Sequence, residues 1–219
     1  DALTDADFNI AIGSSALSSD TLGSKSVAIG TGTLENQNFT TATDSFNTAL
    51  GFFAGRAVTT GISNTLIGGL AGDALTDADY NVAVGTSALS ADTLGSRAIA
   101  IGAGALSRQN FTSATDNYNI GIGYDAGLNI TTGVQNTIIG GLAGDAITTG
   151  ANNVALGQAA LGTNTTGSRS TAIGTGALAA HNVTDSSNTY NTAVGHTAGT
   201  SVTTGVQNTL IGGLAGDAI

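Results

Sequence analysis

The chain of 219 residues contains no cysteine, proline, tryptophan or methionine, and only 9% of its residues are charged. Without cysteine, neither a disulfide framework nor a thiolate metal site can form. The five basic residues are scattered among fifteen acidic ones, and the net charge is −10. Because nucleic acids and anionic lipids are bound by clustered positive charge, we expect neither as a partner. No apolar run approaches the ~18 residues of a spanning helix, so we also expect no membrane insertion within this segment.

A long repeat runs through the whole chain. The sequence Asp-Ala-Leu-Thr-Asp-Ala-Asp at residues 1–7 recurs at residues 73–79, recurs in degraded form from Asp145, and begins again at Asp217. Three superrepeats therefore occupy residues 1–72, 73–144 and 145–216, and residues 217–219 start a fourth. Both ends fall inside the pattern, which predicts that residues 1–219 are one continuous segment of a longer repetitive chain.

Each superrepeat contains four copies of a shorter unit, Asn-x-Ala-Ile-Gly. Successive repeat glycines follow one another in steps of 17, 21, 17 and 17, and this order recurs along the chain. Fixed periodicity of this kind predicts a solenoid, in which each turn is too small to bury a face alone and stacks on its neighbours. The repeat glycines, for which we expect a structural role, are Gly13, Gly30, Gly51, Gly68, Gly85, Gly102, Gly123, Gly140, Gly157, Gly174, Gly195 and Gly212.

The residues before each repeat glycine have the pattern of a short β-strand. An aliphatic residue such as Ile12 directly precedes the glycine, and a β-branched residue such as Ile10 stands two positions earlier. Period-two spacing of such side chains indicates a strand with one buried face, so we expect these two columns to point into the solenoid. The residue between them is mostly alanine, as at Ala11, and is predicted to point outward. The fold class is therefore all-β, a parallel β-solenoid of about twelve stacked turns.

The outward alanine column and the thin core of a 17-residue turn both favour association. Small outward residues would let a second chain approach closely, and an apolar outward column is unusual on a monomer in water. We therefore predict that chains pack side by side as a homotrimer.

Three further columns have structural interpretations. The position four residues after the repeat glycine alternates in pairs, Leu17 and Leu34 followed by Gly55 and Gly72, which indicates large and small core residues. Asparagine precedes the strand in nine turns, and we expect these side chains to hydrogen-bond along the axis. A row of asparagines that binds a ligand is the alternative. Turn glycines for which we expect positive φ are Gly23, Gly61, Gly95, Gly133, Gly150, Gly167 and Gly205.

The pentapeptides Ser26-Val27-Ala28-Ile29-Gly30 and Asn191-Thr192-Ala193-Val194-Gly195 resemble the head repeats of YadA-like trimeric autotransporter adhesins. The related Asn-Thr-Ala-Ile-Gly units are similar to those of phage tail-fibre and other surface-fibre proteins. The resemblance implies a left-handed parallel β-roll, threefold assembly, adhesion, and an extracellular, cell-surface or virion-fibre location. This chain departs from the adhesin pattern in its longer turns and its regular 21-residue turn.

The four extra residues of the 21-residue turn predict a protruding loop. Each loop carries an Asn-x-Thr acceptor sequence, which predicts possible glycosylation at Asn38, Asn110 and Asn182. The same sequence also arises by chance in a chain rich in Asn and Thr.

Other residues with binding chemistry are interpreted mainly as structural. Aromatic residues directly before the asparagine of a turn could stack on sugars. The favoured interpretation is that they cover the bend of the chain at that asparagine or fill a groove between chains. Acidic residues near the start of two superrepeats, such as Asp5 and Asp77, could bind calcium, but solvated turn carboxylates are favoured. His181 and His196 occur once each and are predicted to be surface residues. The corner aromatic residues are Phe8, Phe46, Tyr80, Tyr118 and Tyr190.

Enzymatic activity is not expected, and no cofactor is indicated. The sequence has no repeated histidine, paired-carboxylate pocket or phosphate-binding loop, and hexapeptide-repeat acyltransferases need a period that is a multiple of six. The patterns favour a structural and adhesive extracellular fibre whose partners are its own copies and possible surface glycans. A self-assembling filament without specific adhesion is one alternative. An ice-binding solenoid is another, since Thr40-Thr41 and Thr59-Thr60 recur loosely along the chain.

Overall fold

The computed structural model describes residues 3–218, in which every regular element is a strand and no helix occurs. Twelve of the strands have three residues and end just before a repeat glycine, as the sequence pattern predicts. Four two-residue strands lie in the turns between them. The strands are β1 (Ile10–Ile12), β2 (Gly23–Ser24), β3 (Val27–Ile29), β4 (Thr43–Asp44), β5 (Thr48–Leu50), β6 (Thr65–Ile67), β7 (Val82–Val84), β8 (Gly95–Ser96), β9 (Ile99–Ile101), β10 (Thr115–Asp116), β11 (Ile120–Ile122), β12 (Thr137–Ile139), β13 (Val154–Leu156), β14 (Thr171–Ile173), β15 (Thr192–Val194) and β16 (Thr209–Ile211).

The chain divides into two compact units. The first comprises Asp1–Gly104 with Gln109–Asp116, and the second comprises Ala105–Arg108 with Asn117–Ile219. In the first unit β1, β3, β5, β6, β7 and β9 pair in parallel in that order, and in the second β11 to β16 do the same. Each unit is therefore a β-solenoid of six stacked turns, which confirms the predicted fold class. One continuous solenoid over residues 1–219 stays a prediction.

Pairing follows the repeat in register. Ile10 pairs with Val27 and Val27 with Thr48, so the shorter and the longer step both return the chain to the same position on the next turn. The 21-residue turn accommodates its extra residues in the loop, where β2 pairs with β4 and β8 with β10. Every repeat position therefore forms a column parallel to the axis of its unit.

The predicted direction of the strand side chains is wrong. The middle residue of the strand points inward, and Ala28, Ala49 and Leu66 are all completely buried. The aliphatic residue before the glycine points outward, so Ile29 is half-buried and Leu50 is 43% exposed. Period-two alternation separates two faces but does not say which one is inside. In this narrow solenoid the inner position takes mostly alanine, because larger core side chains come from the turns.

Leucines and glycines of the turns complement one another, which confirms the predicted alternation of core residues. Leu17 and Leu34 are buried, whereas glycine takes their position in the next two turns. A Cβ added at Gly55 would lie 2.6 Å from a methyl carbon of Leu66 and 2.9 Å from one of Leu34. The glycine therefore leaves space that leucines of neighbouring turns fill.

Glycines play two different roles. The repeat glycines have φ between 126° and 142°, a conformation that side chains strongly disfavour. The prediction of positive φ at the turn glycines is wrong, because none of those seven has it. They are glycines because neighbouring atoms approach closely, as at Gly95, where an added Cβ would lie 2.8 Å from the Phe111 ring.

Candidate functional site

The most distinctive surface of each unit is the outward side of its three-residue strands, here called the outer strand face. One of its two columns is the aliphatic residue before each repeat glycine, and the other is the β-branched residue two positions earlier. No charged residue occurs in either column. The first unit contributes Ile10, Ile12, Val27, Ile29, Thr48, Leu50, Thr65, Ile67, Val82, Val84, Ile99 and Ile101, and the second contributes Ile120, Ile122, Thr137, Ile139, Val154, Leu156, Thr171, Ile173, Thr192, Val194, Thr209 and Ile211.

The outer strand face is only partly covered by the chain itself. Leu50 and Leu156 are 43% and 42% exposed, and their neighbours along the column are half-buried or exposed. Isolated exposed aliphatic residues are common, but a contiguous column that recurs in every turn of a unit is characteristic of an interaction surface. The polar groups of the face are threonine hydroxyls of the β-branched column, which stand on consecutive turns at Thr171, Thr192 and Thr209 in the second unit.

The asparagine column is buried and structural, as predicted. Asn64 illustrates its geometry: its Nδ2 donates to the Ala78 carbonyl oxygen at 2.7 Å, and its Oδ1 accepts from the Asn81 backbone N–H at 3.0 Å. The Asn64 backbone N–H in turn donates to Asn47 Oδ1 at 2.9 Å. These side chains satisfy buried backbone groups of consecutive turns, so they do not form a binding row open to solvent.

Where the asparagine column is interrupted, a polar pair from the interior replaces it. Ser26 interrupts the column, and Gln37 donates to its Oγ at 2.9 Å while accepting from Asn47 Nδ2 at 2.8 Å. Gln37 also donates to the fully buried Asp20 at 2.6 Å. Asp92 and Gln109 repeat this pair in the next superrepeat, with Nε2 donating to Oδ2 at 2.6 Å. Sequence analysis missed these pairs, although the same two residue types at the same repeat position were a visible signal.

The third superrepeat replaces the pair with Asn164 and His181, and the prediction that His181 is a surface residue is wrong. Its side chain is completely buried, because it occupies the interior position of Gln37 and Gln109. Nε2 lies 3.3 Å from the Gly205 carbonyl oxygen, and Nδ1 has no hydrogen-bond partner among the described residues. Burial lowers the pKa of His181, and the Gly205 carbonyl opposes this only in part.

We expect this histidine to make stability depend on pH. Because its folded-state pKa lies below 6.5, the unfolded chain binds the proton first, and stability is lost as the pH falls from 6.5 towards the lowered value. Thermal unfolding followed by circular dichroism between about pH 7 and pH 5 should show a falling Tm. His181→Gln should flatten this dependence, whereas His196→Gln should not, because His196 is exposed. An unchanged pH dependence in His181→Gln would contradict the assignment.

The structure places the three Asn-x-Thr sequences in the loops of the 21-residue turns. Asn38 and Asn110 are exposed, and Asn182 is half-buried. Each Oδ1 accepts a hydrogen bond from a threonine hydroxyl of the preceding turn, as from Thr21 to Asn38 at 3.0 Å. The middle residue of the motif points into the interior, so Phe39 is only 5% exposed. Glycosylation of the three asparagines stays a prediction.

The aromatic residues before the asparagine of each turn belong to a column of side chains, here called the corner column, that are exposed apart from the half-buried Ser63. Its members stand five residues before each repeat glycine, and all have φ between 50° and 65°. Phe46, Tyr80, Tyr118 and Tyr190 are 48–55% exposed, and Phe8 is 82% exposed. The members in the first unit are Phe8, Lys25, Phe46, Ser63, Tyr80 and Arg97, and those in the second are Tyr118, Gln135, Asn152, Arg169, Tyr190 and Gln207.

Cations of the corner column contact its aromatic rings. Lys25 Nζ lies 5.2 Å from the centroid of the Phe46 ring, and the Arg97 guanidinium carbon lies 4.8 Å from that of Tyr80. Both cations also form ion pairs, Lys25 with Asp44 at 2.6 Å and Arg97 with Asp116 at 2.9 Å. These exposed pairs contribute at most about 1 kcal/mol each, so they add little to the stability of the unit.

Two of the acidic residues considered for calcium accept hydrogen bonds within the chain. Asp77 Oδ1 accepts from the Thr60 hydroxyl at 2.7 Å, and Asp79 Oδ1 accepts from the Ile62 backbone N–H at 2.8 Å. Within residues 3–218 no group of three or more His, Cys, Asp or Glu side chains is arranged to hold a metal ion. The same residues include no helix that is long and apolar enough to cross a membrane.

The chain matches no protein-family model, no curated protein and no solved structure. The likeness of its pentapeptides to adhesin head repeats and fibre repeats therefore stays a prediction. Function is inferred from the two surfaces described above, the outer strand face and the corner column.

Proposed function

We propose that this chain is a structural and adhesive protein of an extracellular fibre, carried on a cell surface or a virion. Its chains associate side by side through their outer strand faces as a homotrimer. It acts through stiffness and repeated surface contacts and not through catalysis. The observation that carries the proposal is the uncharged, aliphatic outer strand face that recurs in every turn of both units.

The energetics of this face favour association. Burying an exposed aliphatic side chain contributes about 1.5–3 kcal/mol, and a half-buried one contributes roughly half of that. Six aliphatic residues per unit and chain, one before each repeat glycine, therefore supply several kcal/mol towards the roughly 4–15 kcal/mol cost of association. Depletion of charge is the usual composition at the core of such interfaces. The threefold symmetry is inferred from the resemblance to trimeric adhesin repeats.

The adhesive part of the proposal is supported by the surfaces that the outer strand face leaves free. The loops of the 21-residue turns and the corner column present exposed polar and aromatic side chains at repeated intervals. Identical patches on associated chains bind a repetitive surface more tightly than any single contact would, because later contacts form at high effective concentration.

Immunogold labelling of the native source tests the location. An antibody raised against the loop of residues 38–44, several of which are exposed, should label thin fibres that project from cells or virions. Labelling confined to the cytoplasm would contradict the proposal. A control antibody raised against the strand pentapeptide of residues 26–30, none of which is exposed, should label only denatured material.

A further inference from the structure

Three aromatic rings of the corner column lie on alternate turns of the first unit, and the two positions between them differ. Lys25 stands between Phe8 and Phe46, whereas only Ser63 stands between Phe46 and Tyr80. Serine is the smallest member of the corner column, and its side chain does not reach as far from the corner as lysine or arginine. The corner column therefore places only the short Ser63 side chain between the Phe46 and Tyr80 rings.

The two cations lie on the outer sides of this space. Lys25 precedes Phe46 by one turn and lies over its ring, and Arg97 follows Tyr80 by one turn and lies over that ring. Each ring therefore has one face covered by a cation and the other directed towards the turn of Ser63. Both rings remain about half exposed, at 55% for Phe46 and 48% for Tyr80.

The dimensions suit one inserted ring. Adjacent turns are separated by about 4.8 Å, so the turns that carry Phe46 and Tyr80 are separated by about 9.6 Å. A sugar ring at the level of the Ser63 turn would lie about 4.8 Å from each of these turns, close enough for its C–H groups to contact rings that extend straight out from them. Within the corner column, the residue at this position is Ser63.

We propose that Phe46, Ser63 and Tyr80 form a slot that binds a neutral hexopyranose ring of a surface polysaccharide. The inference rests on the proposed adhesive function and names its ligand class. The apolar C–H faces of the sugar pack on the two aromatic rings, and one of its hydroxyls reaches the Ser63 hydroxyl at the base. The Asp44 carboxylate is engaged by Lys25 on the outer side of Phe46. A second cation is disfavoured because each ring already has one, and an anion is disfavoured by the net charge of −10.

The second unit provides a natural comparison. The positions equivalent to Phe46, Ser63 and Tyr80 in the next superrepeat carry Tyr118, Gln135 and Asn152. A longer side chain stands at the base, and the second ring is missing, so no slot forms there. Gln135 and Asn152 have φ of 58° and 59°, which shows that the corner accepts both residues without a change of backbone.

Affinity electrophoresis through gels that contain soluble mannan, galactan or dextran tests the slot. At least one of these neutral polysaccharides should retard the unmodified chain. Ser63→Gln, which fills the slot with the residue found at the equivalent position of the next superrepeat, should weaken retardation roughly tenfold or more. Gln135→Ser is the matched control and should leave retardation unchanged. Tyr80→Asn removes one of the two aromatic rings and introduces the residue found at the equivalent position of the next superrepeat. This variant replaces Ser63→Gln in the experiment if Ser63→Gln lowers the Tm.

Each outcome decides one proposal. Retardation by none of the polysaccharides, or equal retardation of the unmodified chain and both slot variants, overturns the slot. A change of assembly mass in Ser63→Gln also overturns it, because the slot would then hold a residue of a second copy. A trimer that binds no polysaccharide contradicts only the slot, whereas a monomer that binds one contradicts only the proposed assembly.

Discussion

Gly68→Ala is expected to destabilise the first unit by more than about 4 kcal/mol, which is an exceptional loss for one methyl group. Gly68 has φ of 132°, a conformation that costs a residue with a Cβ about 1–3 kcal/mol. The added Cβ would also lie 2.6 Å from the Gly85 carbonyl oxygen of the next turn. Neither backbone can move away, because parallel hydrogen bonds hold the two turns in register.

Gly69→Ala is the matched control for this substitution. Gly69 adjoins Gly68, but it has no positive φ, and an added Cβ would meet nothing within 4 Å. Denaturant titration followed by circular dichroism should therefore give an early midpoint for Gly68→Ala and a nearly unchanged one for Gly69→Ala. Similar midpoints for the two variants would show that the turns are not stacked as closely as described.

Ile67→Lys is expected to convert the assembled protein into monomers that remain folded. Ile67 belongs to the outer strand face of the first unit, so the lysine would point away from the solenoid core. In a homotrimer the substitution places three unpaired charges in an apolar interface, at a cost of several kcal/mol each. Sedimentation velocity measures the loss of assembly, and circular dichroism measures the retained fold.

Two further variants are controls for Ile67→Lys. Leu66→Lys, one residue away, places the charge in the core, because Leu66 is completely buried, and should unfold the chain. Thr41→Lys adds the same charge to an exposed loop and should change neither fold nor mass. If Ile67→Lys keeps the mass of the unmodified protein, the outer strand face is not the interface.

The strands and their stacking could be predicted from the sequence, because a repeated pentapeptide fixes both. The step from Gly13 to Gly30 already implies that Ile10 pairs with Val27, and the structure has that register. The alternation of Leu17 and Leu34 with glycines at the same position of later turns could also be predicted from the sequence. A core of constant width needs its large side chains to be offset by small ones.

The direction of the strand side chains could not be derived in the same way. The rule that aliphatic residues are usually buried predicts Ile12 and Ile29 in the core. That rule is only a tendency, and the period-two alternation does not show which of the two faces is buried. The small cross-section of the solenoid determines which face is buried. A 17-residue turn leaves room for a small side chain such as Ala28 at the middle of the strand, and only rarely for a larger one.

The burial of the polar pairs could not be derived from their recurrence in the sequence, for a different reason. Asp20 and Gln37 stand in separate turns, and only the stacking brings their side chains to 2.6 Å. Polar residues in loops are usually solvated, so nothing local distinguished them. The missing asparagine at Ser26 was a second sign, because a gap in a hydrogen-bonded column requires another partner.

The mass of the purified chain in solution tests the central claim most directly. Sedimentation equilibrium over a range of concentrations should give three times the chain mass of 21.2 kDa. A series of masses that grows with concentration would instead favour the filament alternative. A stable species of 21.2 kDa at every concentration would contradict the claim that the outer strand faces are buried against one another.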